Sequence, residues 1–131
     1  MSLEAEPGYA EVARANVARA GFADVVDIRV GPALETLPGV EGPLDFVFID
    51  ADKKTTPEYF AAALDLTRPG GVIIGDNVVR DGALLDQDGD ASTQGMRRFV
   101  ELMGAEPRVD ATVIQTVGLK GYDGFALALV L

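Results

Sequence analysis

Two short apolar runs separated by a helical pattern constrain this chain more than any other feature. Leu44–Ile49 is a nearly unbroken apolar run that ends at Asp50, and residues 72–74 form a second run that ends at Gly75-Asp76-Asn77. Runs of this kind are typical of strands buried on both faces of a sheet. The segment between them predicts a helix, because Thr56 can cap it, Pro57 suits its first turn, and apolar residues follow at helical spacing. Strand, helix and strand in this order predict a parallel strand pair.

The same alternation extends across the rest of the chain. Helical spacing, with Pro7 in the first turn and Gly21 just past the end, predicts a helix over residues 9–20. The other predicted elements are a strand tail over residues 2–5, a half-buried strand over 25–30, a surface loop over 80–92, a helix around 96–103, a strand over 109–116, a turn over 117–124 and a strand over 125–131. The last two strands have too short a connection for a parallel crossover, so we expect an antiparallel pair. The sequence predicts one α/β domain over residues 1–131 with a mainly parallel sheet.

Composition excludes several classes of function. The 131 residues include 11 Lys and Arg against 21 Asp and Glu, giving a formal net charge of −10, and they include no Cys and no His. A disulfide framework, a thiolate nucleophile and an imidazole metal site are therefore excluded, and any bound metal should be a hard cation on oxygen ligands. The acidic balance argues against nucleic acid and anionic membranes as partners. Every apolar run is much shorter than the about 20 residues that a membrane-spanning helix needs. The N-terminus also has no signal-peptide pattern, so we expect a soluble cytoplasmic protein.

Polar side chains follow the ends of three predicted strands, where ligands bind in open α/β sheets. Glu4 follows the opening strand, Asp50 and Lys53 follow the second, and Asp76 and Asn77 follow the third. Asp50, Asp76 and Asn77 can offer three oxygen ligands to one octahedral cation and leave positions for water and substrate. A nearby cation would favour the neutral amine of Lys53, as a general base requires.

A structural reading of the same residues stays open. An Asp at a strand end is often only a cap or turn residue, and a plain turn is the better interpretation of Asp76-Asn77 taken alone. Glu4 alone is best explained as a solvated carboxylate, and Gly31-Pro32 is a general turn signal. It is the combination of both strand ends with Lys53 that favours a site.

Three segments carry a resemblance to a known family. Residues 46–53 read Phe-Val-Phe-Ile-Asp-Ala-Asp-Lys, residues 68–79 read Arg-Pro-Gly-Gly-Val-Ile-Ile-Gly-Asp-Asn-Val-Val, and residues 121–125 read Gly-Tyr-Asp-Gly-Phe. The chain closely resembles the cation-dependent O-methyltransferases, which include catechol and caffeoyl-CoA O-methyltransferases, over nearly all of its length. The resemblance implies a Rossmann-like sheet and methyl transfer from S-adenosylmethionine (SAM) to a hydroxyl of a catechol-like small molecule.

The resemblance also implies roles for individual residues. Asp50, Asp76 and Asn77 would bind the metal, which would be Mg²⁺, with Mn²⁺ or Ca²⁺ as alternatives, and Lys53 would be the catalytic base. The residues that would bind SAM are Glu4 at the ribose hydroxyls, the loop of Gly31, Pro32 and Ala33 beside the adenine, and Asp50.

The sequence departs from the family at its N-terminus. The family's N-terminal helices and its first strand, with a Gly-rich turn, have no counterpart here. That strand would lie between the strands that end at Glu4 and at Asp50, so we expect those strands to pair directly, to pair with another chain, or to leave the opening segment poorly ordered. We expect a homodimer, because the exposed edges are apolar. The alternative function is a truncated, inactive, oligomerising methyltransferase-like domain.

Overall fold

The structure, a computed structural model, describes residues 1–119 and 121–131. Its contacts divide the chain into two compact units, Met1–Val40 and Glu41–Leu131. Each unit contains parallel strands joined through a helix. Among the described residues, no helix combines the length and the apolar character needed to cross a membrane.

The first unit is a two-stranded parallel sheet with two helices. Its elements are β1 (Ser2–Glu4), α1 (Pro7–Arg19), β2 (Ile28–Val30) and the single-turn α2 (Ala33–Thr36). Pro7 occupies the first helical position of α1, and Gly21 has φ +80° just beyond the helix, as the sequence predicts. The strand predicted over residues 25–30 is wrong at its start, because the amides of Val25 and Val26 both bond to the carbonyl of Phe22 in a turn.

The second unit is a four-stranded sheet with two helices. Its elements are β3 (Leu44–Ile49), α3 (Thr56–Leu66), β4 (Thr67–Asp76), α4 (Ala91–Ala105), β5 (Val109–Gly118) and β6 (Gly121–Val130). The strand order is β3-β4-β6-β5. β3 and β4 are parallel, and β6 lies antiparallel between β4 and β5. The α/β class, the parallel pair and the C-terminal antiparallel pair are therefore confirmed.

The core of this unit fills one face of the sheet. Phe60 of α3 and Phe99 of α4 are each 1% exposed and pack edge to face, with ring centroids 5.4 Å apart, against the buried Ile73. The expectation that Leu44–Ile49 is buried on both faces is wrong in this structure. Phe46 and Phe48 are 57% and 54% exposed, because alternate residues of a strand point to opposite faces and α3 and α4 pack on the other one.

Several boundaries differ from the sequence-based expectation, and the strand expected over residues 72–74 is longer, at Thr67–Asp76. Thr56 is the first residue of α3, and the cap position is Thr55. The loop expected over residues 80–92 includes a 3₁₀ turn at Arg80–Leu85, and α4 begins at Ala91. The turn expected over residues 117–124 is mostly strand, because the β5–β6 ladder continues to the pair of Gly118 and Gly121.

Candidate functional site

The carboxyl ends of β3 and β4 form the centre of the candidate site. Ile49 and Gly75 are partners in the parallel register, so Asp50, directly after β3, lies next to Asp76, the last residue of β4. Adjacent strands lie about 4.8 Å apart, and the two carboxylates therefore share one edge of the sheet. Asn77 follows at once. The structure thus brings together all three residues that the sequence predicts as metal ligands.

Lys53 joins this group through Asp50. Its Nζ donates a hydrogen bond of 2.8 Å to Asp50 Oδ1, and its side chain is 15% exposed against 51% for Asp50. Lys53 begins a 3₁₀ turn, Lys53–Thr55, that links β3 to α3. The amine is therefore held at the carboxylate by a short local connection.

The turn that carries Lys53 is fixed by Asp52. Asp52 Oδ1 accepts from the Thr55 amide at 3.0 Å, and the Tyr59 hydroxyl donates to Asp52 Oδ2 at 2.6 Å. Burial alone would raise the pKa of Asp52, but these hydrogen bonds outweigh it and lower the pKa below its usual value. Burial, together with the bond to the charged Asp52, raises the pKa of Tyr59 to about 12. The pair is thus most stable as a carboxylate with a neutral phenol.

A glycine of α4 packs against the backbone of the same turn. A Cβ built on Gly95 would lie 2.6 Å from the Cα of Lys54 and would overlap the carbonyl oxygen of Lys53. Helix and turn therefore approach more closely than a side chain permits. Gly95 is one of the contacts that set the position of Lys53.

The backbone conformation of Asn77 and two hydrogen bonds fix this residue directly after β4. Its φ of +57° lies in the left-handed region, its amide donates to Asp76 Oδ1 at 2.8 Å, and its side-chain Nδ2 donates to Asp123 Oδ2 at 3.2 Å. Burial acts to raise the pKa of Asp123, but bonds from the amides of Arg80 and Gly124, from the Asn77 side chain and from a third amide lower it overall. Asp123 is thus an ionised anchor for the segment that follows β4.

The donor set at these strand ends fits a hard divalent cation. It consists of the carboxylates of Asp50 and Asp76 and the amide oxygen of Asn77, and Mg²⁺ typically takes one or two carboxylates and keeps several waters. Within residues 1–119 and 121–131, no group of three or more His, Cys, Asp or Glu side chains is placed to hold a metal. A cation at this site would therefore need the Asn77 amide oxygen, and oxygens of water or substrate, as ligands in addition to the two carboxylates.

A cavity of about 400 Å³ adjoins Asp123. It lies between the segment after β4 and the β5–β6 hairpin, and its lining includes Arg80, Thr116, Leu119, Tyr122 and Asp123. Arg80 Nη1 is buried and has no hydrogen-bond partner among the described residues. The volume is within the range of small-molecule sites.

The first unit brings its own predicted residues together. Glu4 ends β1, and its carbonyl accepts from the amide of Gly31, which follows β2, at 2.9 Å. Gly31 has φ +144°, Pro32 is the cap residue of α2, and Ala33 begins that helix. The Glu4 side chain accepts from the amide two residues later at 2.9 Å. The predicted SAM-binding residues of this unit therefore share the carboxyl edge of the two-stranded sheet.

A family model for O-methyltransferases matches residues 1–130. The chain belongs to the O-methyltransferase family. A catechol O-methyltransferase from Mycobacterium tuberculosis is 54% identical over 131 residues, covering 99% of this chain and 60% of that protein. An O-methyltransferase from Bacillus cereus, solved in complex with SAH, superimposes with a TM-score of 0.95 at 54% identity, over 98% of this chain and 61% of that one. The O-methyltransferase TomG from Streptomyces achromogenes, involved in tomaymycin synthesis and solved in complex with SAM, has a TM-score of 0.94 at 51% identity, over 98% and 60%.

These comparisons confirm the family and the Rossmann-like fold of an O-methyltransferase. The chain spans about 60% of the length of the relatives that it matches.

The sequence alone assigns no role in the candidate site to three residues that lie around it. Gly95 carried a signal, because a glycine inside a helix costs about 1 kcal/mol relative to alanine and often marks close packing. Asp123 lies in the motif at residues 121–125, but its partner Asn77 is 46 residues away. Nothing in the sequence indicates the hydrogen bond that the Tyr59 hydroxyl donates to Asp52.

Proposed function

We propose that this chain is the metal-assisted catalytic part of a cytoplasmic O-methyltransferase that transfers a methyl group from SAM to a hydroxyl of a catechol-like small molecule. The observation that carries the proposal is the 2.8 Å bond between Lys53 Nζ and Asp50 Oδ1 at the β3–β4 edge, beside Asp76 and Asn77. A base next to a set of oxygen ligands is the arrangement that such a transfer requires. Residues 1–131 are proposed to form a single, partial methyltransferase domain.

Each residue at the strand ends has a proposed task. Asp50, Asp76 and Asn77 would hold a divalent cation, Mg²⁺ first and Mn²⁺ or Ca²⁺ as alternatives. When bound, the cation supplies positive charge that favours the ionised hydroxyl, and SAM supplies the methyl group. Lys53 would accept the hydroxyl proton at Nζ as the new O–CH₃ bond forms and the S–CH₃ bond breaks. The remaining acceleration comes from orientation of the two reactants.

The proposed cofactor residues are Glu4, Gly31, Pro32, Ala33 and Asp50. Support comes from the SAH and SAM bound in the two related structures and from the hydrogen bond between Gly31 and Glu4. The Glu4 carboxylate offers acceptor oxygens that suit a vicinal diol, as in other nucleotide-binding sheets.

The acceptor class is supported by the catechol O-methyltransferase of M. tuberculosis and by the cavity beside Asp123. Two adjacent oxygens of a catechol can both reach one cation. We propose that the rest of the acceptor occupies this cavity.

The test is methylation of a panel of catechols with SAM, in Mg²⁺ and after chelation. We expect activity that is lost on chelation and restored by Mg²⁺, and activity unaffected by the chelator would reject the metal role. Lys53→Ala should lower turnover by about 10²- to 10⁴-fold with little change in SAM affinity. The adjacent, exposed Lys54→Ala is the control and should retain turnover.

The alternative is an inactive, oligomerising methyltransferase-like domain. The specific observation in its favour is that β3 is an outer strand of its sheet, with Phe46 and Phe48 more than half exposed. Calorimetry with SAM separates the two functions, since absence of binding would favour the alternative. A homodimer is proposed in either case, and light scattering over a dilution series that gives a monomer mass throughout would contradict it.

A further inference from the structure

Asp123 connects two distant segments of the chain at the proposed cation site. Its Oδ2 accepts a hydrogen bond of 3.2 Å from the side-chain Nδ2 of Asn77, 46 residues earlier. Asp123 belongs to the start of β6, and Asn77 directly follows β4. The insertion of β6 beside β4 is what brings the two residues together.

The two oxygens of Asp123 have separate partners. Oδ1 accepts from three backbone amides, those of Val79 at 3.2 Å, Arg80 at 2.9 Å and Gly124 at 2.8 Å. Oδ2 accepts from the Asn77 side chain. One oxygen thus holds the backbone after β4, and the other holds the amide of a proposed metal ligand.

The backbone that Asp123 holds is unusual. Asn77, Arg80 and Asp81 have φ values of +57°, +49° and +53°, which non-glycine residues seldom adopt. Such a backbone persists only where surrounding contacts determine it, and strain of this kind clusters at functional sites. The bonds to Asp123 are among those contacts.

The chemistry of the Asn77 bond determines which way the amide faces. An asparagine side chain has one acceptor oxygen and one donor nitrogen, whereas an ionised carboxylate can only accept. With Nδ2 directed at Asp123, the Asn77 oxygen must face away from that carboxylate. We propose that Asp123 is a positioning residue that keeps the Asn77 oxygen available to a divalent cation. This inference rests on the proposed function.

The first test is Asp123→Asn, which keeps an oxygen for the three backbone amides but sets an NH₂ group against the Asn77 NH₂ group. We expect the affinity for Mn²⁺, measured by calorimetry, to fall by about 10-fold or more, as for other residues that orient metal ligands. Asp86→Asn is the matched control, because Asp86 also accepts one backbone amide, at 3.0 Å, in an exposed loop. It should bind Mn²⁺ as the wild-type chain does.

The second test reverses donor and acceptor. In Asn77→Asp combined with Asp123→Asn, the new amide at 123 can donate to the new carboxylate at 77, so Mn²⁺ affinity should recover to within about 3-fold of wild type. In the metal-free protein, the side-chain NH₂ resonances of Asn77 should shift in Asp123→Asn and stay unchanged in Asp86→Asn. This NMR readout needs neither metal nor activity.

Different results would contradict the cation site itself and the positioning role of Asp123. Failure of the wild-type chain to bind Mn²⁺ would reject the metal role in the proposed function. Wild-type binding that Asp123→Asn leaves unchanged would overturn the positioning role alone. Loss of folding in both Asp123→Asn and the reversed pair would show that Asp123 has only a structural role, and it too would overturn the proposal.

Discussion

Replacing Gly95 by alanine tests the close approach between α4 and the turn that carries Lys53. Alanine would normally stabilise a helix interior by about 1 kcal/mol relative to glycine. Here its Cβ would lie 2.6 Å from Lys54 Cα and would overlap the Lys53 carbonyl oxygen, so helix and turn must separate by roughly 1 Å or more to restore ordinary contacts of about 3.5 Å. Overpacking against backbone, which cannot rotate away, costs about 2–3 kcal/mol, the upper part of the usual range. We therefore expect a net loss of about 1–2 kcal/mol in the free energy of unfolding.

The assay is urea unfolding followed by circular dichroism, with Gly104→Ala as the control in the same helix. A Cβ on Gly104 would meet nothing within 4 Å, so that variant should gain up to about 1 kcal/mol. Gly95→Ala should also lower turnover by up to about 100-fold, because the displaced turn moves Lys53 relative to Asp50. A Gly95→Ala chain as stable as the wild type would refute the reasoning.

Three further predictions concern the same unit. Tyr59→Phe removes the donor to Asp52 and should cost about 0.5–1 kcal/mol, measured by urea unfolding at neutral pH. Since the folded pKa of Tyr59 is raised to about 12 from 10.0, its contribution should be complete below pH 10 and be lost as pH rises towards 12, and this alkaline loss should be absent in Tyr59→Phe. The pKa of Asp52 is lower in the folded chain than in the unfolded chain, so the ionised carboxylate stabilises the fold at pH values above the unfolded pKa. This contribution should be lost as pH falls through the folded pKa. In Tyr59→Phe the pKa of Asp52 is lowered less, so the loss should occur at higher pH. Phe60→Ala should cost about 3–5 kcal/mol, because the ring is buried against Phe99, and a loss below about 1 kcal/mol would contradict that packing. Gly75→Ala would place Cβ 2.6 Å from the Phe99 ring and should cost about 1–3 kcal/mol in the same assay, so a neutral result would contradict the contact.

Local patterns predicted the elements that position the strand-end residues. Leu44–Ile49 has the same bounds in sequence and structure, because a short apolar run followed by Asp50 and a helix start leaves few other conformations. The exposure of Phe46 and Phe48 was not predictable. An apolar run is the same whether one face of the strand is covered or two, and coverage depends on which elements pack there.

In the β5–β6 hairpin, the sequence pattern predicted a turn where the structure has strand. Residues 117–124 include several glycines and polar side chains, which is the composition of a turn. The structure continues the ladder into this segment as far as the pair of Gly118 and Gly121, with Thr116 opposite Asp123 and Val117 opposite Tyr122. Backbone hydrogen bonds alone extend an antiparallel pair, and they leave little trace in side-chain pattern.

The candidate site combines residues whose chemistry is visible in the sequence with residues whose importance comes from topology. The residues at or just after the ends of β3 and β4 could be grouped from residue type and position along the strand alone; they are Asp50, Lys53, Asp76 and Asn77. Asp123 reaches Asn77 only because β6 pairs with β4, with Phe125 opposite Asp76. A chain with the same strand-end residues but with β5 beside β4 would keep every proposed ligand and lose the bond that orients the Asn77 amide. The order of the last two strands is therefore part of the proposed cation site, although neither strand supplies a ligand to it.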